Sequence, residues 1–185
     1  NQDEQNANNK TQSGRNPNCL PDESGELYRS PDEIFYTEEE LAQARYERHA
    51  AWAEAPYVKS TYRPEDLIET TSRGEHMRSK SEVLMAEAFY KYRIPFRYED
   101  ATDYPWLDLV PDFTFRGYDR KLFYLEYCGM MDNEEYVRNY LRKREKYEEN
   151  GICAWDNIIY IFEQGNRINM EMVEEIIKNQ ILPRL

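Results

Sequence analysis

The sequence predicts an α/β domain in which helices flank a mixed sheet, with its elements in the order α-β-β-β-α-β-α. Three patterns predict this fold class. An apolar stripe with helical spacing covers residues 80–92, two alternating strands around a Gly-containing turn cover residues 112–127, and a long helix leads into an apolar strand at residues 158–162. A strand that follows such a helix is expected to join the sheet through a right-handed crossover.

The first part of the chain differs in composition from the rest. Residues 1–30 are rich in Asn, Gln, Ser, Pro and acidic residues and have few apolar ones, which predicts a flexible tail. A capping box at Thr37-Glu38-Glu39-Glu40 predicts a helix that ends near Ala53. Residues 56–71 predict an irregular segment with at most one helical turn. We therefore expect an acidic helical extension over residues 31–72 and the main domain over residues 73–185.

The elements of the main domain follow from apolar periodicity and turn residues. In chain order they are a helix over 80–92, strands over 95–99, 112–116 and 122–127, a helix ending near 150, a strand over 158–162 and a helix over 169–180. Asp132 is expected to cap the long helix, and Gly151 to end it.

Charge and cysteine content limit the classes of function. The net charge of −12 argues against a nonspecific nucleic-acid binder, although the excess acid is concentrated in the first 70 residues. Cys19, Cys128 and Cys153 form no CxxC pair, which argues against a disulfide framework or structural zinc and indicates a reducing, cytoplasmic location. The apolar runs are too short to span a membrane. His49 and His76 lack metal-ligand spacing and are expected at the surface.

Two acidic residues lie where the hairpin strands are expected to splay. Alternation places Leu122, Tyr124, Glu126 and Cys128 on one strand face, so Glu126 has apolar neighbours in both directions. A carboxylate there is costly to bury unless a metal or a cation meets it. Asp112 follows Pro111 on the neighbouring strand and can reach the same point. The structural alternative is that Asp112 ends a loop and Glu126 pairs with an Arg.

Glu82 has both a structural and a functional interpretation. Ser79 and Glu82 form a capping box, which is a purely structural motif. At 100° per residue, however, Glu82 lies on the same helix face as three apolar residues, Met85, Ala86 and Phe89, which are arranged on both sides of it. Glu82 is therefore expected at the centre of the apolar stripe that faces the sheet.

Lys143 interrupts an aromatic stripe on the long helix. By their spacing, Tyr136, Tyr140 and Tyr147 lie on the same helix face. A Lys in such a stripe can extend its ammonium to solvent. The alternative is an inward Lys beside the acids, where it would orient a water or stabilise developing phosphate charge.

Four segments resemble a bacterial and phage group of PD-(D/E)XK nuclease-like proteins. That group typically has RSKSE, then PDF, an iEhxGm strand and a K-x-x-x-Y helix. The corresponding segments here are RSKSE (78–82), YPWLDLVPDFTF (104–115), FYLEYCGM (123–130) and KREKYEENGI (143–152). The resemblance spans about residues 73–165 and implies an αβββαβ restriction-endonuclease-like core. It also implies a DNA endonuclease that depends on Mg²⁺ or Mn²⁺.

Site residues are carried over from the resemblance by position. Glu82 matches the acid of the first helix, Asp112 the Asp of the PD motif, and Glu126 the acid of the (D/E)XK strand, and these three imply the metal ligands. The motif Lys, two residues after Glu126, is replaced by Cys128. Lys143 and Tyr147 occupy a helix position from which several branches of the family reach the site. Lys80 is a weaker candidate for the missing Lys.

Three hypotheses remain open at this point. The first is a metal-dependent endonuclease with DNA as its partner, with a homodimer left open. The second is a catalytically inactive nuclease-fold module that binds nucleic acid or a protein. The third is an α/β interaction domain that matches the motifs by chance.

Overall fold

The computed structural model describes residues 37–103, 110–165 and 167–185, and the tail predicted for residues 1–30 lies outside these ranges. The described elements are α1 (Glu38–Glu54), β1 (Glu69–Thr70), β2 (His76–Met77), α2 (Lys80–Lys91), β3 (Arg97–Tyr98), β4 (Phe113–Arg116), β5 (Leu122–Cys128), α3 (Glu134–Glu149), β6 (Ile158–Phe162) and α4 (Met170–Ile176).

The main sheet has four strands in the order β3-β4-β5-β6. β4 pairs antiparallel with both β3 and β5, and β6 pairs parallel with β5 after the α3 crossover. The predicted mixed sheet with flanking helices is therefore confirmed. β3 is shorter than the predicted strand over 95–99, and Asp112 lies immediately before β4 instead of within it.

Alternation along β5 separates two apolar layers. Phe123 and Leu125 belong to the larger core, which also includes Met85 and Phe89 of α2 and Val173 of α4. Tyr124, on the other face, packs with Tyr147 of α3 and with Ile152 and Ile158. Because Glu126 shares the face of Tyr124, it lies beneath α3.

The helix ends follow local side-chain chemistry. Thr37 and Ser79 form the capping boxes of α1 and α2. The N-cap of α3 is Asn133, whose side chain accepts hydrogen bonds from two helix amides, so the prediction of Asp132 was wrong by one residue. Gly151 follows α3 with a φ of +77°, which glycine adopts without strain. After α4 the chain continues as a π-helical turn, Ile177–Ile181, and a short 3₁₀ turn.

The segment after α1 lies along β3, at the edge of the main sheet. Ala101 N donates to Val58 O at 2.7 Å, and Ser60 N donates to Glu99 O at 3.0 Å. Further along, β1 and β2 form a two-stranded antiparallel pair that the sequence did not predict.

The prediction of a surface position for His49 was wrong, whereas His76 is exposed as predicted. The His49 ring is buried on α1, with Nε2 at 3.4 Å from Leu185 O. Burial lowers the pKa of His49 to about 4, so the ring is neutral in the fold. Among the described residues, no helix is long and apolar enough to cross a bilayer.

Candidate active site

The carboxylates of Asp112 and Glu126 lie at the same end of the β4–β5 hairpin. Asp112 Oδ2 accepts a hydrogen bond from the backbone amide of Tyr127 at 2.7 Å, and Tyr127 directly follows Glu126. The charge of Glu126 contributes to raising the pKa of Asp112, which reflects how close the two side chains are. The hairpin thus brings together the two acids that the sequence predicted to meet.

Helix α3 supplies the partners of Glu126 from above. Lys143 Nζ donates to Glu126 Oε1 in a short, part-buried ion pair. Tyr147 OH donates to Glu126 Oε2 at 3.3 Å, and Lys143 Nζ lies 5.5 Å from the centroid of the Tyr147 ring. Both oxygens of Glu126 therefore have donors. The interruption of the tyrosine stripe by Lys143 is explained, because its side chain turns inward to the acid.

Glu82 caps α2 and also adjoins the acids. Its Oε2 accepts hydrogen bonds from the backbone amides of Arg78 and Ser79, each at 2.9 Å, and from Tyr98 OH at 3.0 Å. Its Oε1 accepts no hydrogen bond from any described residue. The capping interpretation is correct, and the side chain is nevertheless buried and within electrostatic reach of Asp112.

Three residues at this site were not predicted from the sequence. Tyr98 on β3 links the amide of Arg78 to Glu82 through its hydroxyl. Glu99, which is buried, forms an ion pair with the Arg78 guanidinium, and its amide donates to Asp112 O at 2.9 Å. Arg78 belongs to the RSKSE segment, which was the available signal. No sequence pattern indicated Tyr98 or Glu99, because their position at the site depends on how β3 pairs with β4.

Burial and mutual repulsion perturb the titration of the acids. Burial, with the charge of Glu126, raises the pKa of Asp112 to about 8. Burial, with the charge of Asp112, raises the pKa of Glu82 to about 7. The pKa of Glu126 is raised by burial, although Lys143 opposes the shift. Each acid is therefore costly to ionise in the fold unless a further cation is present.

The pKa of Lys143 moves in the direction that preserves its charge. Burial lowers the pKa, but Glu126 and Asp112 outweigh burial and leave it above the ordinary value. Lys143 is therefore an ammonium at neutral pH. It can supply positive charge and hydrogen bonds, whereas it cannot act as a general base at this pH.

Cys128 and Lys80, the two weaker candidates for site residues, lie in different environments. Cys128 is buried on the strand face of Glu126, and burial together with the nearby carboxylates raises the pKa of its thiol. A protonated thiol cannot provide the charge of the motif Lys. Lys80 is in the first turn of α2, but its side chain is exposed and has no carboxylate within 4 Å among the described residues. The geometry thus favours Lys143 over Lys80 as the cation of the site.

Comparison with known proteins adds one relative. The chain is 29% identical over 120 residues to an uncharacterized protein of Methanocaldococcus jannaschii, an alignment that covers 62% of this chain and 10% of the relative. The chain therefore spans about a tenth of the length of that relative. No family model matches the sequence. No solved structure matches it either.

The acids fit a small, hard divalent cation only as a partial ligand set. Among the described residues, no group of three or more His, Cys, Asp or Glu side chains is arranged to hold a metal ion. Mg²⁺ is commonly held by one or two carboxylates together with waters and substrate phosphates. Asp112 and Glu126 match that requirement, and their raised pKa values mark a site where a bound cation would offset repulsion. Glu82, which is within electrostatic reach of Asp112, accepts its hydrogen bonds from the described residues through Oε2 alone.

Proposed function

We propose that this chain is a metal-dependent nuclease of the PD-(D/E)XK type that hydrolyses phosphodiester bonds in DNA as an endonuclease. In this proposal the elements from α2 to β6 form the αβββαβ restriction-endonuclease-like core. The observation that supports it best is the convergence of Asp112, Glu126 and Lys143 at one end of the β4–β5 hairpin. In metal-assisted hydrolysis, carboxylates can hold the metal ion and an ammonium can stabilise the charge that develops on the phosphate.

Each residue has a distinct task in this proposal. Asp112 and Glu126, with Glu82 beside them, would hold Mg²⁺ or Mn²⁺. When bound, the ion supplies a water of lowered pKa and neutralises charge on the phosphate. Lys143 remains protonated and donates hydrogen bonds to the attacking water or to a phosphate oxygen. Tyr147 holds the second oxygen of Glu126, so that the carboxylate keeps one orientation.

A second candidate function is an inactive nuclease-fold module that binds nucleic acid or a protein partner. The observation that favours it is that Lys143 pairs with Glu126 and neutralises the charge of that carboxylate. Cys128, which stands at the position of the motif Lys, provides no second cation. A stable buried ion pair would then be the reason why the acids are retained.

Cleavage of DNA separates the two candidates. Purified protein is incubated with supercoiled, linear and single-stranded DNA in Mg²⁺, in Mn²⁺ and in chelator. The nuclease proposal expects nicked or linear products with either metal and none in chelator, and it expects Glu126→Gln to be inactive. Wild-type protein that binds DNA but yields no product with either metal would support the inactive module.

A further inference from the structure

A basic and aromatic rim borders the acids on the side of the extension. It consists of Lys59, Tyr62 and Arg63, in the segment that lies along β3. Lys59 forms a β-bridge with Asp100, and the Arg78 guanidinium donates hydrogen bonds to the carbonyls of Tyr62 and Arg63. The rim is thus fixed to the main sheet by backbone bonds and by Arg78.

The rim is one side chain away from the acids. Lys59 Nζ lies 5.0 Å from the centroid of the Tyr98 ring, whose hydroxyl donates to Glu82. Arg78, which holds the rim, is paired with Glu99, whose amide donates to the carbonyl of Asp112. These contacts place the rim next to the part of the fold that holds Asp112 and Glu82.

The cations of the rim have no carboxylate partners among the described residues. Neither Lys59 Nζ nor the Arg63 guanidinium is within 4 Å of an Asp or Glu oxygen of those residues, in a chain of net charge −12. Both Arg63 and Arg78 lie against the ring of Tyr62, at 5.3 and 5.5 Å from its centroid. Tyr62 as a whole is 56% exposed.

The backbone conformation does not account for an arginine at position 63. Arg63 has a φ of +40°, a region that glycine and asparagine occupy at less cost than arginine. Its side chain also provides no hydrogen-bonded cap to the 3₁₀ turn Pro64–Asp66 that follows. A large cation at a strained, exposed position needs another explanation, and a polyanion beside the site supplies one.

We propose that Lys59 and Arg63 bind successive backbone phosphates of the DNA strand that lies over the acids, with the Tyr62 ring packed against the sugar or a base between them. The four steps from Lys59 to Arg63 span at most about 14 Å, so the two side chains can reach separate phosphates, which are spaced about 3.4 Å along the axis of each strand. The extension is then part of the DNA interface. This inference rests on the proposed function, because it takes DNA as the substrate.

The test measures how DNA affinity depends on salt. The parent protein is Asp112→Asn in chelator, so that the labelled duplex stays intact during an anisotropy titration. Lys59→Gln with Arg63→Gln should weaken binding and reduce the slope of log K against log salt concentration by about 0.9 for each lost phosphate contact. The expected reduction is therefore about two units of slope.

A matched variant controls for the change in net charge. Lys121→Gln with Lys178→Gln also removes two positive charges, here from exposed lysines that each lie within 4 Å of a carboxylate. Lys121 directly precedes β5 and lies five residues before Glu126, which is about 16 Å at 3.3 Å per residue. This control should keep the parent slope. Circular dichroism and melting temperature verify that all variants are folded.

The outcomes separate a failure of the rim proposal from a failure of the nuclease proposal. If the rim variant keeps the parent slope, if the control loses as much, or if the parent does not bind the duplex, the rim proposal is overturned. Rim-dependent binding together with wild-type protein that never cleaves DNA would keep the rim and refute the hydrolysis. Cleavage by the wild type with no effect of the rim variant would keep the activity and refute the rim.

Discussion

Replacing Lys143 by Ala removes the ammonium that forms an ion pair with Glu126 at the cluster of acids. The Lys143 side chain is 20% exposed and that of Glu126 is 9% exposed, so solvent can replace little of the lost charge. Removing one positioned proton-transfer or charge-stabilising group typically lowers a rate about 10²–10⁴-fold. We expect the rate of DNA cleavage by Lys143→Ala to fall within that range.

The same change should also lower stability. A buried ion pair that loses one partner typically costs about 3–5 kcal/mol. Glu126 can reduce this cost by taking up a proton, because burial already raises its pKa. The free energy of unfolding should therefore fall less in mildly acidic than in mildly alkaline buffer. Urea unfolding of wild type and variant in both buffers measures this difference.

The kinetic assay is single-turnover conversion of supercoiled plasmid, performed well below the melting temperature of the variant. Lys146→Ala is the matched control, because Lys146 has no carboxylate within 4 Å among the described residues and should be nearly neutral. Adding Cys128→Lys to Lys143→Ala should restore part of the rate, since position 128 shares a strand face with Glu126. If Lys143→Ala cuts DNA as fast as wild type, the role assigned to Lys143 is wrong.

Three further predictions concern stability. Mn²⁺ at a hundredfold excess over its Kd should stabilise the wild type by about 2.7 kcal/mol, seen as a higher melting temperature, and an Asp112→Asn, Glu126→Gln double variant should lose the response. Without metal, the pKa of Asp112 is raised from 3.8 to about 8 and that of Glu82 from 4.5 to about 7, so the folded state binds protons more tightly. The free energy of unfolding should therefore fall as the pH rises from the ordinary pKa values, 3.8 and 4.5, to the raised values of about 8 and about 7. A free energy of unfolding that stays constant over this pH range would contradict the raised pKa values. Tyr98→Phe should lower the free energy of unfolding by about 1–2 kcal/mol, because Glu82 loses one of its three hydrogen-bond donors. The amide of Arg78 also loses the Tyr98 hydroxyl but still donates to Glu82. An unchanged urea midpoint would show that the Tyr98 hydroxyl is dispensable.

Local patterns were sufficient for most of the secondary structure. α2, the β4–β5 hairpin and β6 were predicted because their apolar residues follow helical or strand periodicity over several positions. β1 and β2 have two residues each, which is too short for any period to be detected. Asp132 and Asn133 are both good N-cap residues, and only the geometry at the start of α3 distinguishes them.

Long-range contacts explain what the sequence could not predict. His49 is buried because α1 meets the carbonyl of Leu185, which lies 136 residues away in the chain. At the site, Glu82, Glu126 and Lys143 were predicted because each is a charged residue among apolar or aromatic ones, where burial is costly without a partner. Asp112 was predicted because it follows Pro111 on the strand next to Glu126 and matches the Asp of the PD motif. Tyr98 and Glu99 joined the site through pairing between β3 and β4, which no local pattern specifies.

The most direct test of the central claim is plasmid cleavage by the wild type and by Asp112→Ala and Glu126→Ala in Mg²⁺ and Mn²⁺. The claim is that these acids form a metal-dependent nuclease centre. It predicts cleavage by the wild type that chelator abolishes, and two variants that are inactive but still folded by circular dichroism. Asp112→Ala relieves repulsion between the acids, whereas Glu126→Ala leaves Lys143 without its partner and should lower the melting temperature. No cleavage by the wild type with either metal, or cleavage that survives in both folded variants, would contradict it.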